Sequence, residues 1–180
     1  IAGSSPRTQP TSHARPSPAA VPPLSLYEEG RFQLDDPISR FLPEFAAPRI
    51  HVSGSGPDMQ TRAADGPITI RQLMTHTAGF TYGFADPGPI GEAYRDNNVQ
   101  LGPGSETLAE AVRRAANVPL CFEPGSRWTY SIATDILGRL VEVVAGKPLV
   151  EVLAERILTP LGMADTWFGC PTAQAGRLAA

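Results

Sequence analysis

Residues 122–146 read FEPGSRWTYSIATDILGRLVEVVAG, and this stretch sets the class of fold. In its second half Ile132, Ile136, Leu140, Val141 and Val144 recur at helical spacing. That spacing predicts an amphipathic helix capped by Ser131, running to about Ala145 and closed by Gly146. In its first half Glu123-Pro124-Gly125-Ser126 has proline and glycine in the order of a type II turn. Tyr130 lies between turn and helix, beside the helix cap, where a tyrosine can pack its ring and satisfy its hydroxyl.

The same punctuation extends outward. Pro148 opens a further helix to about Thr159 with Leu149, Val152, Leu153 and Ile157 inward, and Pro160 and Gly162 stop it. Thr166-Trp167-Phe168 is expected to start a strand. Upstream, Thr107 with Glu110 and Thr69 with Gln72 have capping-box spacing, in which each side chain satisfies a free backbone N–H of the other's neighbourhood. Leu108, Ala111, Val112 and Ala115 follow the first box, and Ile70, Leu73 and Met74 the second. Leu120-Cys121-Phe122 is expected to be extended, and the Gly/Pro-rich residues 81–104 a long loop bordering a site. Residues 46–66 read as loop. Asp35-Asp36-Pro37 starts a short helix with Ile38, Phe41 and Leu42 on its apolar side and Pro43 at its end. Leu26 to Gly30 reads as the last turn of a helix stopped by glycine.

Residues 1–24 are different: Pro-, Ser-, Ala- and Arg-rich, with no acidic residue and no period of 2 or 3.6. They are expected to form an extended or disordered tail, or an aberrant one, since GC-rich DNA read out of frame gives the same composition. The remaining residues, 25–180, are expected to form one partial domain. The 180-residue chain is long enough for a real core, and 42% hydrophobic and 7% aromatic content is ordinary for a globular protein. A net charge of −3 and the absence of a Lys/Arg cluster argue against nucleic acid or anionic membrane partners. No apolar run approaches the ~20 residues of a membrane-spanning helix. Cys121 and Cys170 are expected to be reduced, and with His13, His51 and His76 ungrouped no metal site is expected. Without a basic-then-apolar leader the expected compartment leans to the cytoplasm. The oligomeric state is left open.

Four segments in order, LYEEGRFQLDDPISRFLPEF (26–45), ITIRQLMTHTAGFTYG (68–83), residues 122–146 and LVEVLAERILTPLGMADTWF (149–168), resemble the serine β-lactamase-like, penicillin-binding-protein-like superfamily. It contains class C β-lactamases, D-Ala-D-Ala carboxypeptidases and related esterases. The resemblance implies an α+β, β-lactamase/transpeptidase-like fold, here mainly the helical region with most of the antiparallel sheet missing. It implies acyl transfer through a covalent intermediate, with no cofactor and no metal, on a small-molecule ester or lactam. A serine attacks, a lysine three residues later takes its proton, a tyrosine assists, and an oxyanion hole stabilises the tetrahedral intermediate. Tyr130 matches the family's tyrosine and is the catalytic candidate. A phenol with a pKa of about 10 is only about 0.1% ionised at neutral pH, so it needs a nearby cation to act as a base. Tyr82 is the substrate-binding candidate, lining the acyl pocket. Ile132 stands where the β-lactamase branch commonly has Asn, which favours an esterase over a lactam hydrolase. His76, within His-Thr-x-Gly, is expected to shape the chain, and Trp128 to pack.

The family's interval places the nucleophile near His13 and its lysine near Pro16, and neither residue can do that work. Ser4, Ser5, Ser12, Ser17 and Ser25 lack lysine at the third following position; Ser12 has Arg15, which cannot accept a proton at neutral pH. Lys147 is the sole lysine, and the family's downstream Lys/His-x-Gly motif is not among the 180 residues. The expectation is a truncated, frame-shifted hydrolase fragment, inactive as this chain, or a non-catalytic remnant that binds through its helical subdomain. Without its sheet, the row of five aliphatic residues from Ile132 to Val144 is expected to lie uncovered and to favour association.

Overall fold

A computed structural model describes residues 21–99, 107–166, 168, 169 and 172–177. The expectations on residues 1–20, Trp167 and Cys170 lie outside the described residues. The architecture is α+β and helix-rich, with one two-stranded antiparallel sheet among the described residues.

The elements in chain order are α1 (Val21–Glu28), β1 (Arg49–Ser53), β2 (Gln60–Ala63), α2 (Ile70–Met74), α3 (Pro89–Asp96), α4 (Leu108–Ala116), α5 (Ala133–Ala145) and α6 (Leu149–Leu153). Helix α5 is the axis of the molecule. Helices α1, α2, α4 and α6 pack around it, so Ile132, Ile136, Leu140, Val141 and Val144 are all buried. This corrects the expectation of an uncovered apolar face. The cover comes from α1, α2 and α4, which precede α5 in the chain, and from α6, which follows it closely, and each buried aliphatic side chain stabilises the fold by about 1.5–3 kcal/mol.

Both capping boxes form, Thr69 with Gln72 on α2 and Thr107 with Glu110 on α4. Gly146 closes α5 in the left-handed region at φ 68°. Ser131 acts one place earlier than expected: Ile132 is the cap residue, and the Ser131 hydroxyl accepts the Ala133 N–H at 3.4 Å. Helix α1 ends at Glu28, followed by Gly30 at φ 71°, but it begins at Val21. Residues 21–24, read as tail, are therefore helical; Pro22 and Pro23 fall in a first turn, where a missing N–H costs nothing.

Other expectations change. Residues 38–45 form two 3-10 turns, Ile38–Arg40 and Pro43–Phe45, with Pro43 opening the second rather than ending a helix. Residues 46–66 contain the β1–β2 hairpin, in the register Arg49↔Ala63, Ile50↔Arg62, His51↔Thr61. Leu120 adds a parallel bridge to Ile50, so the segment expected to be extended does extend the sheet by one residue. Within 81–104, α3 replaces part of the loop, with Pro89 in its first turn and Ile90 and Tyr94 buried. Helix α6 stops at Leu153 and runs on as a π-helical turn, Ala154–Leu158. Thr166 and Phe168 are not in a strand; Phe168 is in a bend and exposed.

Candidate functional site

The segment after α2 leaves its helix abruptly. His76 takes φ 54°, a left-handed conformation uncommon for a residue with a side chain, and Gly79 takes φ 92°. The chain then runs alongside the 121–132 segment and is bonded to it. Thr129 N–H donates to the His76 carbonyl at 2.9 Å, Gly125 N–H to Thr77 at 2.7 Å and Cys121 N–H to Gly79 at 2.8 Å. The Glu123–Ser126 turn closes with Ser126 N–H donating to the Glu123 carbonyl and Gly125 at φ 88°, the type II geometry its sequence predicts. Tyr130 is thereby delivered to the start of α5 with its ring 59% exposed.

Rings meet rings across this seam. Phe84 stacks on Tyr82 at 4.9 Å between centroids, Tyr82 meets Tyr130 at 5.5 Å, Tyr130 meets His76 at 5.0 Å, and His76 meets Trp128 at 6.3 Å. The structure thus brings together both candidates, Tyr130 and Tyr82, with His76 against the first. Trp128 does not pack as expected: it is 64% exposed at one end of the row, as Phe84 is at the other.

Beneath the row lies Asp135, in the first turn of α5, accepting the Tyr82 hydroxyl at 3.4 Å. Burial raises the Asp135 carboxyl above its ordinary range, against the opposing hydrogen bond from Tyr82. Burial first, then the charge of Asp135 and the neighbouring Tyr130, raise the Tyr82 phenol well above 10.0. His76 is half-buried, and burial lowers its imidazole below 6.5. Its Nδ1 lies 3.4 Å from the Ser131 hydroxyl and its Nε2 3.4 Å from that of Thr134. Ser131 is only 1% exposed, so its contact with an imidazole does not make it a nucleophile open to substrate. Sequence reasoning missed Asp135, because an acidic residue in a first helical turn reads as an ordinary complement to the helix dipole.

Lys147 cannot complete this arrangement. It follows the far end of α5, whose 13 residues make a rod about 20 Å long, and its amine is held by both Glu155 carboxylate oxygens at 2.8 Å. A groove of about 660 Å³ also lies at that far end, beside Arg139, Glu142 and Lys147, away from the ring row. Among the described residues no group of three or more His, Cys, Asp or Glu side chains is placed to hold a metal ion. No described helix is long and apolar enough to cross a membrane.

A helical body around α5, with a tyrosine delivered to that helix's start by the His-Thr-x-Gly segment, is the scaffold of serine acyl-transfer proteins related to penicillin-binding proteins. The Beta-lactamase family profile matches residues 18–180, and the chain belongs to that family. Protein Rv1367c of Mycobacterium tuberculosis is 40% identical over 145 residues, covering 81% of this chain and 35% of that protein. Esterase EstB of Burkholderia gladioli is 38% identical over 154 residues, covering 83% and 35%. Among solved structures, EstCE1, a hydrolase with promiscuous acyltransferase activity, superposes with a TM-score of 0.67 at 33% identity, covering 81% and 35% of the two chains. Simvastatin synthase (LovD) of Aspergillus terreus gives a TM-score of 0.62 at 32% identity, covering 80% and 34%. The chain spans about a third of the length of the curated relatives it matches.

Proposed function

We propose that the 76–135 region is the tyrosine half of an acyl-transfer site for small-molecule carboxylic esters. Tyr130 passes a proton between nucleophile and leaving group, and Tyr82 lines the acyl side of the pocket. The observation that carries this reading is the exposed Tyr130 ring, held against His76 and Tyr82 by the backbone bonds of the 76–79 segment. Esters are preferred to lactams because Ile132, where the β-lactamase branch commonly has Asn, is buried and offers no polar group to an amide. EstB and EstCE1, an esterase and a hydrolase by name, support the same preference.

By itself the 180-residue chain is catalytically silent. No serine in it has lysine at the third following position, and its single lysine is tied to Glu155 at the far end of α5. Two experiments test the reading. Residues 68–146, exchanged into EstB, should retain hydrolysis of a p-nitrophenyl ester, and Tyr130→Phe in that chimaera should abolish it. The 180-residue chain alone should neither hydrolyse the ester nor take up a fluorophosphonate. Turnover by this chain that disappears on altering one serine would overturn its silence, and an active Tyr130→Phe chimaera would overturn the role of Tyr130.

A further inference from the structure

The geometry points to the ring row from Phe84 through Tyr82, Tyr130 and His76 to Trp128 as a docking platform for the flat acyl group of an uncharged ester of an aromatic acid. The inference rests on the ester reading above and names its substrate class. Four successive ring contacts of 4.9 to 6.3 Å make one continuous aromatic surface, far longer than one tyrosine needs for its own support. Among the described residues its outer members are not filling a core: Phe84 is 84% exposed and Trp128 64%. Exposed rings set side by side offer π-faces and edges to a further ring, which aromatic pairing rewards beyond area burial alone. The row is continuous with Tyr130, so a ring seated on it has its ester carbonyl beside the proton-transferring phenol.

Charge selects among aromatic ligands. Asp135 lies behind Tyr82, bonded to its hydroxyl, and its carboxyl has no cationic side chain bonded to it among the described residues. Rings present electron-rich faces, and an unpaired carboxylate behind them repels a second carboxylate. The platform therefore takes neutral aryl groups and rejects ligands that carry an acid near the ring.

The test reads binding without turnover, so it stands apart from the chimaera experiment: the platform can fail while Tyr130 remains catalytic, and the reverse. Three amides that cannot acylate are titrated into the 180-residue chain at about pH 8, where carboxylates are ionised, and followed by saturation-transfer NMR. They are 2-naphthamide, its saturated decahydro counterpart and 6-carboxy-2-naphthamide. The expected result is that 2-naphthamide binds about tenfold more tightly than either other compound. Phe84→Leu, at a position too exposed to support the fold, should weaken 2-naphthamide by about two- to tenfold and leave the decahydro amide unchanged. Asp135→Asn should narrow the gap between 2-naphthamide and its carboxylated form. Equal binding of flat and saturated amides, or no response to Phe84→Leu, overturns the platform; a carboxylated amide that binds as well as 2-naphthamide overturns its charge selection.

Discussion

Gly79→Ala should be among the most damaging single-methyl additions in this protein, and Gly146→Ala gives the control that isolates the reason. Both glycines have positive φ, 92° and 68°. A left-handed conformation costs a residue with a Cβ about 1–2 kcal/mol. At Gly146 that is the whole cost, because nothing lies within 4 Å of the added carbon. At Gly79 the new Cβ would lie 2.5 Å from the Phe122 carbonyl oxygen and 3.2 Å from Leu120 Cβ. The 121–132 segment must then retreat by most of an ångström. That movement stretches the Cys121–Gly79 and Gly125–Thr77 bonds, now 2.8 and 2.7 Å, each worth about 1 kcal/mol net. The total is about 3–4 kcal/mol for Gly79→Ala against about 1–2 for Gly146→Ala, within a stability of typically 5–15. Urea unfolding followed by far-UV circular dichroism measures both. Near-ultraviolet signals from the ring row should weaken in Gly79→Ala alone. Equal losses in the two variants would refute the claim that the seam between 76–79 and 121–129 is tightly closed.

Other outcomes follow from burial and charge. Leu140→Ala should cost about 2–5 kcal/mol in the same urea assay, since Leu140 is fully buried beneath the surrounding helices; a loss below about 1 kcal/mol would mean α5 is not wrapped. His76 has a folded pKa below 6.5, so between that lower value and 6.5 the unfolded chain binds more protons. Its contribution therefore rises with pH through that window and is lost as pH falls through it, and His76→Gln should flatten this slope in urea midpoints taken from about pH 5 to 7. Asp135, raised above 3.8, acts in the opposite sense, so the comparison is variant against parent and not pH against pH. Burial first, then Asp86, pushes the Cys121 thiol up to about 12. In a Cys170→Ser background at about pH 8 it should react with iodoacetamide about a thousandfold more slowly than the urea-unfolded chain, and fast labelling of the folded chain would contradict that burial.

What could be read from the sequence was what local chemistry decides. The two capping boxes and the glycine closing α5 depend on residues a few places apart, so spacing alone found them. The β1–β2 hairpin stayed hidden because most of β1 and β2 faces water and only Ile50 is buried, leaving no apolar alternation to see. Helix α3 was masked by surrounding prolines and glycines, although Ile90, Tyr94 and the proline in its first turn were signals for it. The cover over α5 was illegible because α1, α2, α4 and α6 arrive from four separate segments. Tyr130 and Tyr82 were singled out through resemblance, whereas their contacts with His76, Phe84 and Asp135 depend on chain crossings that no local pattern encodes.

The proposed role of Tyr130 sets a demand on the charges around its ring. A tyrosine that takes a proton from a nucleophile must spend time as phenolate, and phenolate needs positive charge beside it. Among the described residues, the groups in contact with the Tyr130 and Tyr82 rings supply none. The imidazole neighbour of Tyr130 is pushed toward the neutral form by burial, its phenol neighbour is held protonated, and the charge behind that phenol is a carboxylate. None of the three brings a positive charge to the row. The bonds that deliver the ring are main-chain bonds and hold without any charge at all. Position and activation are therefore separable in this scaffold: the 76–135 region places the hydroxyl, and a cation brought against it would be needed to make that hydroxyl a base. An amine tethered near Tyr130 should leave p-nitrophenyl ester hydrolysis at background until a nucleophile is supplied as well, and turnover from the amine alone would refute that separation.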